Sequence, residues 1–486
     1  MIGYPSTVGP CSGAYLLLPE EGLTASSQQP SIMSFIYSIF SFFQRPLTLQ
    51  RVIDQGHFTE LSDTKAVQLF EAAFHEELTR LKDADETVES GVTDPPGSLE
   101  NGDTPSRYLY QRDHTEVNRT LVNMLALKWI LAGEYEAFTQ NQNEHARLTT
   151  QSFNDLCGFF KERMHSSHDI YGLLVAVVLD DLGKSRGLIE RVKRNEGRKL
   201  ENHSDVLAQA VQSGEISLLK TVPESKSKTI MGSIYLEGDL SISQLVQAEN
   251  APANLTVIKC SEDCQQVLEM RIMVTLLDVA GAAAHCNARG CLVMTESVYQ
   301  GYISTIQAVN AFANGEISSE QECYDQILSG RANSLASKGY KLLATTKAEE
   351  RAFLRLLCIG RVDNPGLADI FQRAFDSMDN TQRHILIKGL NVDGLNDSPA
   401  ILPYYAPGLV AEVLRGVRGK EDSVVVEALF AFMRFLSRVF EGPDRHNEPA
   451  KKVIECDLAF IQDKVKSPEF KEKPSILDGE RIMWKD

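Results

Sequence analysis

Two adjacent carboxylates close an apolar run at 172–185, GLLVAVVLDDLGKS, where Asp180 and Asp181 are followed by Leu182, Gly183, Lys184 and Ser185. Acids at the C-terminal end of a helix face the negative pole of its dipole, so they persist there when a cation sits beside them. Gly183 allows the backbone to turn sharply after the helix. A third carboxylate, Asp278, lies inside another apolar helical pattern, VTLLDVAGAAAH. A carboxylate buried in such a helix needs a partner. Two are open to it: a divalent cation, or an arginine from a neighbouring helix. The residues from Ala280 to Ala284 are all small, which permits close approach of a ligand or a second backbone, and His285 falls two turns after Asp278 on the same face.

The run at 172–185 resembles the signature of the HD superfamily of metal-dependent hydrolases, in which an apolar helix is followed by His-Asp, a small apolar residue, Gly and Lys. The resemblance extends from His145 to His285, and it implies a helical core holding a metal site that hydrolyses a phosphate ester. Its ligand set would be His145, Asp180, Asp181, His203 and Asp278. His145 would be the first histidine, Asp181 the central ligand, His203 a further histidine at a helix start, and Asp278 the last aspartate. This sequence departs from the family at Asp180, where the family has His; a carboxylate there favours Mg²⁺ or Mn²⁺ over zinc. Iron is also implied, because some relatives on this scaffold are di-iron oxygenases. The metal would generate a nucleophilic water. Asp181 and Lys184 would be the catalytic residues, Lys184 meeting substrate phosphate as a point charge. The departure leaves two expectations for function: a divergent metal-dependent phosphohydrolase, or a catalytically inactive HD-like scaffold for protein interaction.

Other polar residues have plainer readings. His165 and His168 could ligate a metal, but Ser166 with Asp169 three residues later reads as a capping box opening a helix. The stretch 184–199 carries seven basic and two acidic residues, either a solvated helix face or a patch that draws an anionic substrate. Cys260, Cys264, Cys286 and Cys291 lack the spacing of common zinc knuckles. No phosphate-binding glycine loop, nucleophile elbow or dinucleotide fingerprint is present.

The elements that must position these residues are mostly helical. Periodicity predicts helices at 115–139, 144–163, 168–182, 186–195, 204–213, 262–286, 295–313, 319–328, 346–358, 366–377, 407–415 and 422–440. Gly315 and Gly330 are expected to close two of them. A β-hairpin is expected at 229–243, turning at Glu237-Gly238-Asp239. The fold class is therefore all-α: an HD-like core at 113–315 with a short hairpin insertion, and a C-terminal helical region at 316–486 packed on it. Residues 1–112 are expected to supply a leader, short helices and an acidic flexible linker.

The chain has 486 residues, 43% of them hydrophobic, and a net charge of −17, enough to bury a core and unfavourable for nucleic-acid phosphate. No nucleic-acid partner is expected; a small phosphorylated substrate is the partner the resemblance implies. Nine scattered cysteines, an odd number, do not form a disulfide framework and point to a reducing, cytoplasmic setting. The apolar run 32–43 is too short to span a bilayer, reading as a docked helix or a membrane-surface segment, and no later run is long enough.

Overall fold

The computed structural model describes residues 47–84, 99, 103–196, 203–259, 264–396, 398–442 and 452–484, without the side chains of 194–196, 203 and 204. The expected leader at 1–31, the apolar run 32–43 and most of the acidic linker lie outside the described residues.

Helix α1, Thr115–Ala132, is apolar on nearly every side, and its residues from Val117 to Ile130, Arg119 excepted, are buried. Such a helix is stable only when surrounded by others. Helix α2 spans Thr150–Lys161, and α3 spans Ser167–Asp180. The α3 start is a capping box in which Ser166 and Asp169 satisfy each other's backbone N–H groups, as the sequence indicates. Its residues from Tyr171 to Leu179 are buried without a polar stripe, so α3 is a second interior helix. Helices α4 (His203–Gln212), α5 (Glu224–Asp239) and α6 (Cys264–Gly281) complete the surroundings of the acidic residues. Helix α6 packs along α1, and α5 packs on α6.

The hairpin expected at 229–243 does not form; most of that stretch belongs to α5. Ile230, Ser233 and Ile234 are buried on one helical stripe, and this packing overrides the strand preference of the isoleucines and threonine. The strands lie elsewhere: β1, Ala400–Tyr404, pairs in parallel with β2, Val453–Asp457, with Ala400 opposite Val453 and Tyr404 opposite Asp457. The fold is all-α with this one short sheet among the described residues.

Beyond α6, the chain continues through α7 (Glu296–Ala313), α8 (Glu320–Ser337), α9 (Ala348–Ile359), α10 (Asn380–Leu390) and α11 (Asp422–Phe440). Gly315 closes α7 with a positive φ of 78°. Gly330 closes nothing: α8 runs on to Ser337, and a Cβ at Gly330 would lie 2.1 Å from Ser304 Oγ. The glycine is there so that two helices can touch. No described helix is long and apolar enough to cross a membrane.

From Thr48 to Asp486 the chain is one compact unit, and two side chains tie its later helices to the earlier ones. The hydroxyl of Tyr324 on α8 donates to the carbonyls of Ala248 (3.1 Å) and Asn250 (2.7 Å). Arg355 on α9, 1% exposed, donates to Asn250 O and Leu390 O. Helices α10 and α11 meet at Gly389, where a Cβ would fall 2.3 Å from Phe440 Cβ. Gly389→Ala should therefore destabilise the protein by about 1–3 kcal/mol through overpacking. Urea melts should show a lower midpoint with an unchanged slope.

Candidate functional site

The carboxylates of Asp180, Asp181 and Asp278 converge, with one oxygen from each within 4.8 Å of the others. Asp180 is the last residue of α3, and Asp181 caps that helix. Asp278 comes from the last turn of α6, brought close because Gly281 lets α6 lie against α1: a Cβ there would sit 2.8 Å from the Arg119 carbonyl. Among the described residues, no histidine or cysteine joins the three acids.

Each acid already has a cation. Arg119 on α1 donates to Asp278 Oδ1 at 2.8 Å. Lys184 lies 2.6 Å from Asp181 Oδ1. Arg271, on α6 two turns before Asp278, donates to both oxygens of Asp180, at 2.7 and 3.4 Å. Two further carboxylates complete the network. Glu116 accepts from Arg119 at 3.2 Å and from Lys184 at 3.0 Å. Glu237, on α5, lies 3.2 Å from Arg271 Nε, but the single Nε proton goes to Thr275 Oγ1 at 3.1 Å. That leaves Glu237 Oε2 buried, at ion-pair distance but without a hydrogen bond.

Five carboxylates thus face three cations in one crevice. The acidic excess is visible in proton affinities. Burial pushes Glu237 up to about 7, only partly offset by Arg271. Burial also raises Asp278, with the charges of Asp181 and Asp180 adding to it and Arg119 opposing. Arg119 is held more firmly protonated, chiefly by Asp278. Lys184 is raised as well, because Asp181 and Glu116 outweigh its burial. The crevice is not sealed: the side chains of Asp278 and Lys184 are 29% and 30% exposed.

The spacing of the three acids suits a divalent metal, but the surrounding charges do not. A dication between these oxygens would sit beside three fixed cations, already bonded to the atoms it needs. It enters only if Arg119, Lys184 and Arg271 give way.

The remaining residues picked out by the sequence lie elsewhere. His145 is exposed and sits in a turn, because α2 begins only where Thr149 caps it, not at residue 144. It lines a separate cavity of about 620 Å³ whose lining contains none of the three acids. His203 begins α4, but its side chain lies outside the described residues. His165 and His168 are exposed beside the capping box. Cys286 is exposed and Cys291 buried, while Cys260 lies outside the described residues.

Sequence reasoning missed Glu116, Arg119, Glu237 and Arg271. Arg271 carried a signal, a charge inside the apolar pattern MRIMVTLLD and seven positions before Asp278 on the same face.

The model of a family of unknown function, DUF6829, matches residues 67–477. The chain belongs to that family. No curated protein and no solved structure matches it. The match to DUF6829 takes in every helix that contributes to the crevice, from α1 to α6, and the cavity beside His145.

Proposed function

We propose that this DUF6829 chain is a catalytically inactive helical scaffold of HD-like build, in which basic side chains of the protein itself occupy the place of a metal. The observation that carries this reading is the pairing of each central carboxylate with an arginine or lysine, at 2.8 Å for Asp278, 2.6 Å for Asp181 and 2.7 Å for Asp180. The order of the motif supports the HD-like part, since Asp180, Asp181 and Asp278 meet as the resemblance expects. The ligand chemistry does not follow. Asp180 replaces the family's histidine, His145 lines another cavity, and Arg119 reaches Asp278 from α1. Charges paired in this way fix the relative placement of α1, α3 and α6, a specifying role that ion pairs can serve without adding much net stability.

One observation favours the second reading, a divergent metal-dependent hydrolase of a phosphate ester. Five carboxylates against three cations leave an excess of two negative charges when all are ionised, which one divalent ion would balance. Asp180, Asp181 and Asp278 would then hold Mg²⁺, Mn²⁺ or iron.

Thermal melts with EDTA and with added Mn²⁺, paired with a p-nitrophenyl phosphate assay, separate the two. The scaffold reading expects the same melting temperature in both solutions and no turnover, since a ligand that does not bind the native state cannot stabilise it. A Mn²⁺-dependent rise in melting temperature with turnover lost in Asp278→Asn would establish the hydrolase instead.

A further inference from the structure

The cavity beside His145 differs in kind from the acidic crevice. It measures about 620 Å³ and lies between α7 and α8, within the size range of small-molecule sites. In a chain of net charge −17, its lining includes two basic side chains without a carboxylate partner among the described residues, Arg331 and Lys338. Arg331 lies on α8, and Lys338 caps the C-terminus of that helix seven positions later, with Ser334 between them. Arg331 Nη1 donates to the carbonyl of Val362 at 3.0 Å, and Lys338 Nζ donates to that of Asp363 at 2.7 Å. Carbonyl partners position a cation without neutralising it.

Neither acid of the lining, Glu296 or Asp363, pairs with these cations. The Glu296 carboxylate keeps its charge but is turned away from both cations, accepting from Thr149 N–H, the Ser152 hydroxyl and the Gln300 amide at 2.8, 2.8 and 2.9 Å. Asp363 lies beyond ion-pair distance of both cations. Across from α8, Gly301 leaves room over Arg331: a Cβ there would be 3.9 Å from Arg331 Nη2 and 3.5 Å from Val246. Ser304 on α7 adds a hydroxyl to the lining.

We propose that this cavity binds a small molecule through its phosphoryl group, held by Arg331 and Lys338. Arg331 and Lys338 offer separate donors from two side chains rather than a single fork. A phosphoryl group has three oxygens to distribute, which suits separate donors: Arg331 Nη2, Lys338 Nζ and the serine hydroxyls. The cavity exceeds the needs of the phosphoryl group alone, so the mixed polar and apolar remainder of its wall, including Val246 and Ile327, receives the body of the molecule. This site is independent of the acidic crevice, and binding here requires no metal and no catalysis.

Isothermal titration calorimetry on the full chain tests it, using glucose 6-phosphate, glycerol 3-phosphate and adenosine 5′-phosphate as probes. Inorganic phosphate and glucose serve as the controls. At least one phosphate ester should bind with 1:1 stoichiometry, about ten-fold or more tighter than inorganic phosphate, while glucose gives no heat. Loss of one charge-assisted contact in Arg331→Gln should weaken that ester by about ten-fold or more. Gly301→Ala keeps both cations and places a methyl 3.9 Å from Arg331 Nη2 at ordinary contact distance; it should weaken binding about ten-fold while the melting temperature stays near wild type. Failure of all three esters to bind overturns the proposal. Equal affinity for inorganic phosphate, or unchanged binding in both variants, does the same.

Discussion

Arg271→Met should destabilise the protein by about 3–5 kcal/mol, among the largest effects of any single substitution in this chain. Arg271 is buried, its side chain 3% exposed, and it serves Asp180 and Glu237 together. Methionine fills similar space, so the loss is electrostatic: two carboxylates remain in the crevice without their cation. The deficit should shrink at pH 5, where stranded carboxylates take up protons more readily than at pH 8. It should also shrink when Asp180→Asn and Glu237→Gln are added, because the groups left without a partner are then neutral. Denaturant melts of the single and triple variants measure both effects. A loss below about 1 kcal/mol, typical of a solvated ion pair, would show that the network is not a structural element.

The second large effect has the opposite sign. Glu237→Gln should stabilise the protein at pH 8 by up to about 3 kcal/mol. Burial pushes this carboxyl from its ordinary 4.5 up to about 7 in the folded chain. Below pH 4.5 the group is protonated in both states and contributes nothing to the difference. Between about pH 4.5 and 7 the folded state binds more protons than the unfolded one, so stability falls as pH rises. Above 7 the full penalty of ionising the group is in place. Glutamine carries no such penalty, so the variant should match wild type near pH 4 and exceed it at pH 8. Glu249 is also pushed up to about 7 by burial, while accepting the Tyr405 N–H. It should retain its own share of the slope in the variant. Equal stability of the two proteins at pH 8 would mean that Glu237 is better compensated than its surroundings indicate.

The acids of the crevice were legible in the sequence because carboxylates inside or at the end of an apolar helix stand out against their neighbours. Asp180, Asp181 and Asp278 do meet, although 97 positions separate the last two. Their partners were harder to see. Arg119 and Glu116 stand three apart on α1 and look like an ordinary surface pair; only the packing of α6 turns them inward. His145 misled for the reverse reason. An exposed histidine pays nothing to sit near any helix start, so a plausible spacing says little about where its ring goes.

The misplaced hairpin has a similar origin. TIMGSIYLEGDL satisfies both a period of two and a helical stripe through Ile230 and Ile234, and the neighbouring helices decide between them. The real strands pair Ala400–Tyr404 with Val453–Asp457 across two helices among the described residues, a non-local contact that no short window reveals. Gly330 stands where a terminating glycine would, but its role is contact with Ser304.

Calorimetric titration of Mn²⁺ into EDTA-stripped wild-type protein tests the central claim most directly. If Arg119, Lys184 and Arg271 occupy the metal's place, the titration should give no saturable heat up to about millimolar Mn²⁺, equivalent to less than about 4 kcal/mol of binding. One equivalent bound at micromolar affinity, and lost in Asp278→Asn, would contradict it and restore the crevice to a metal.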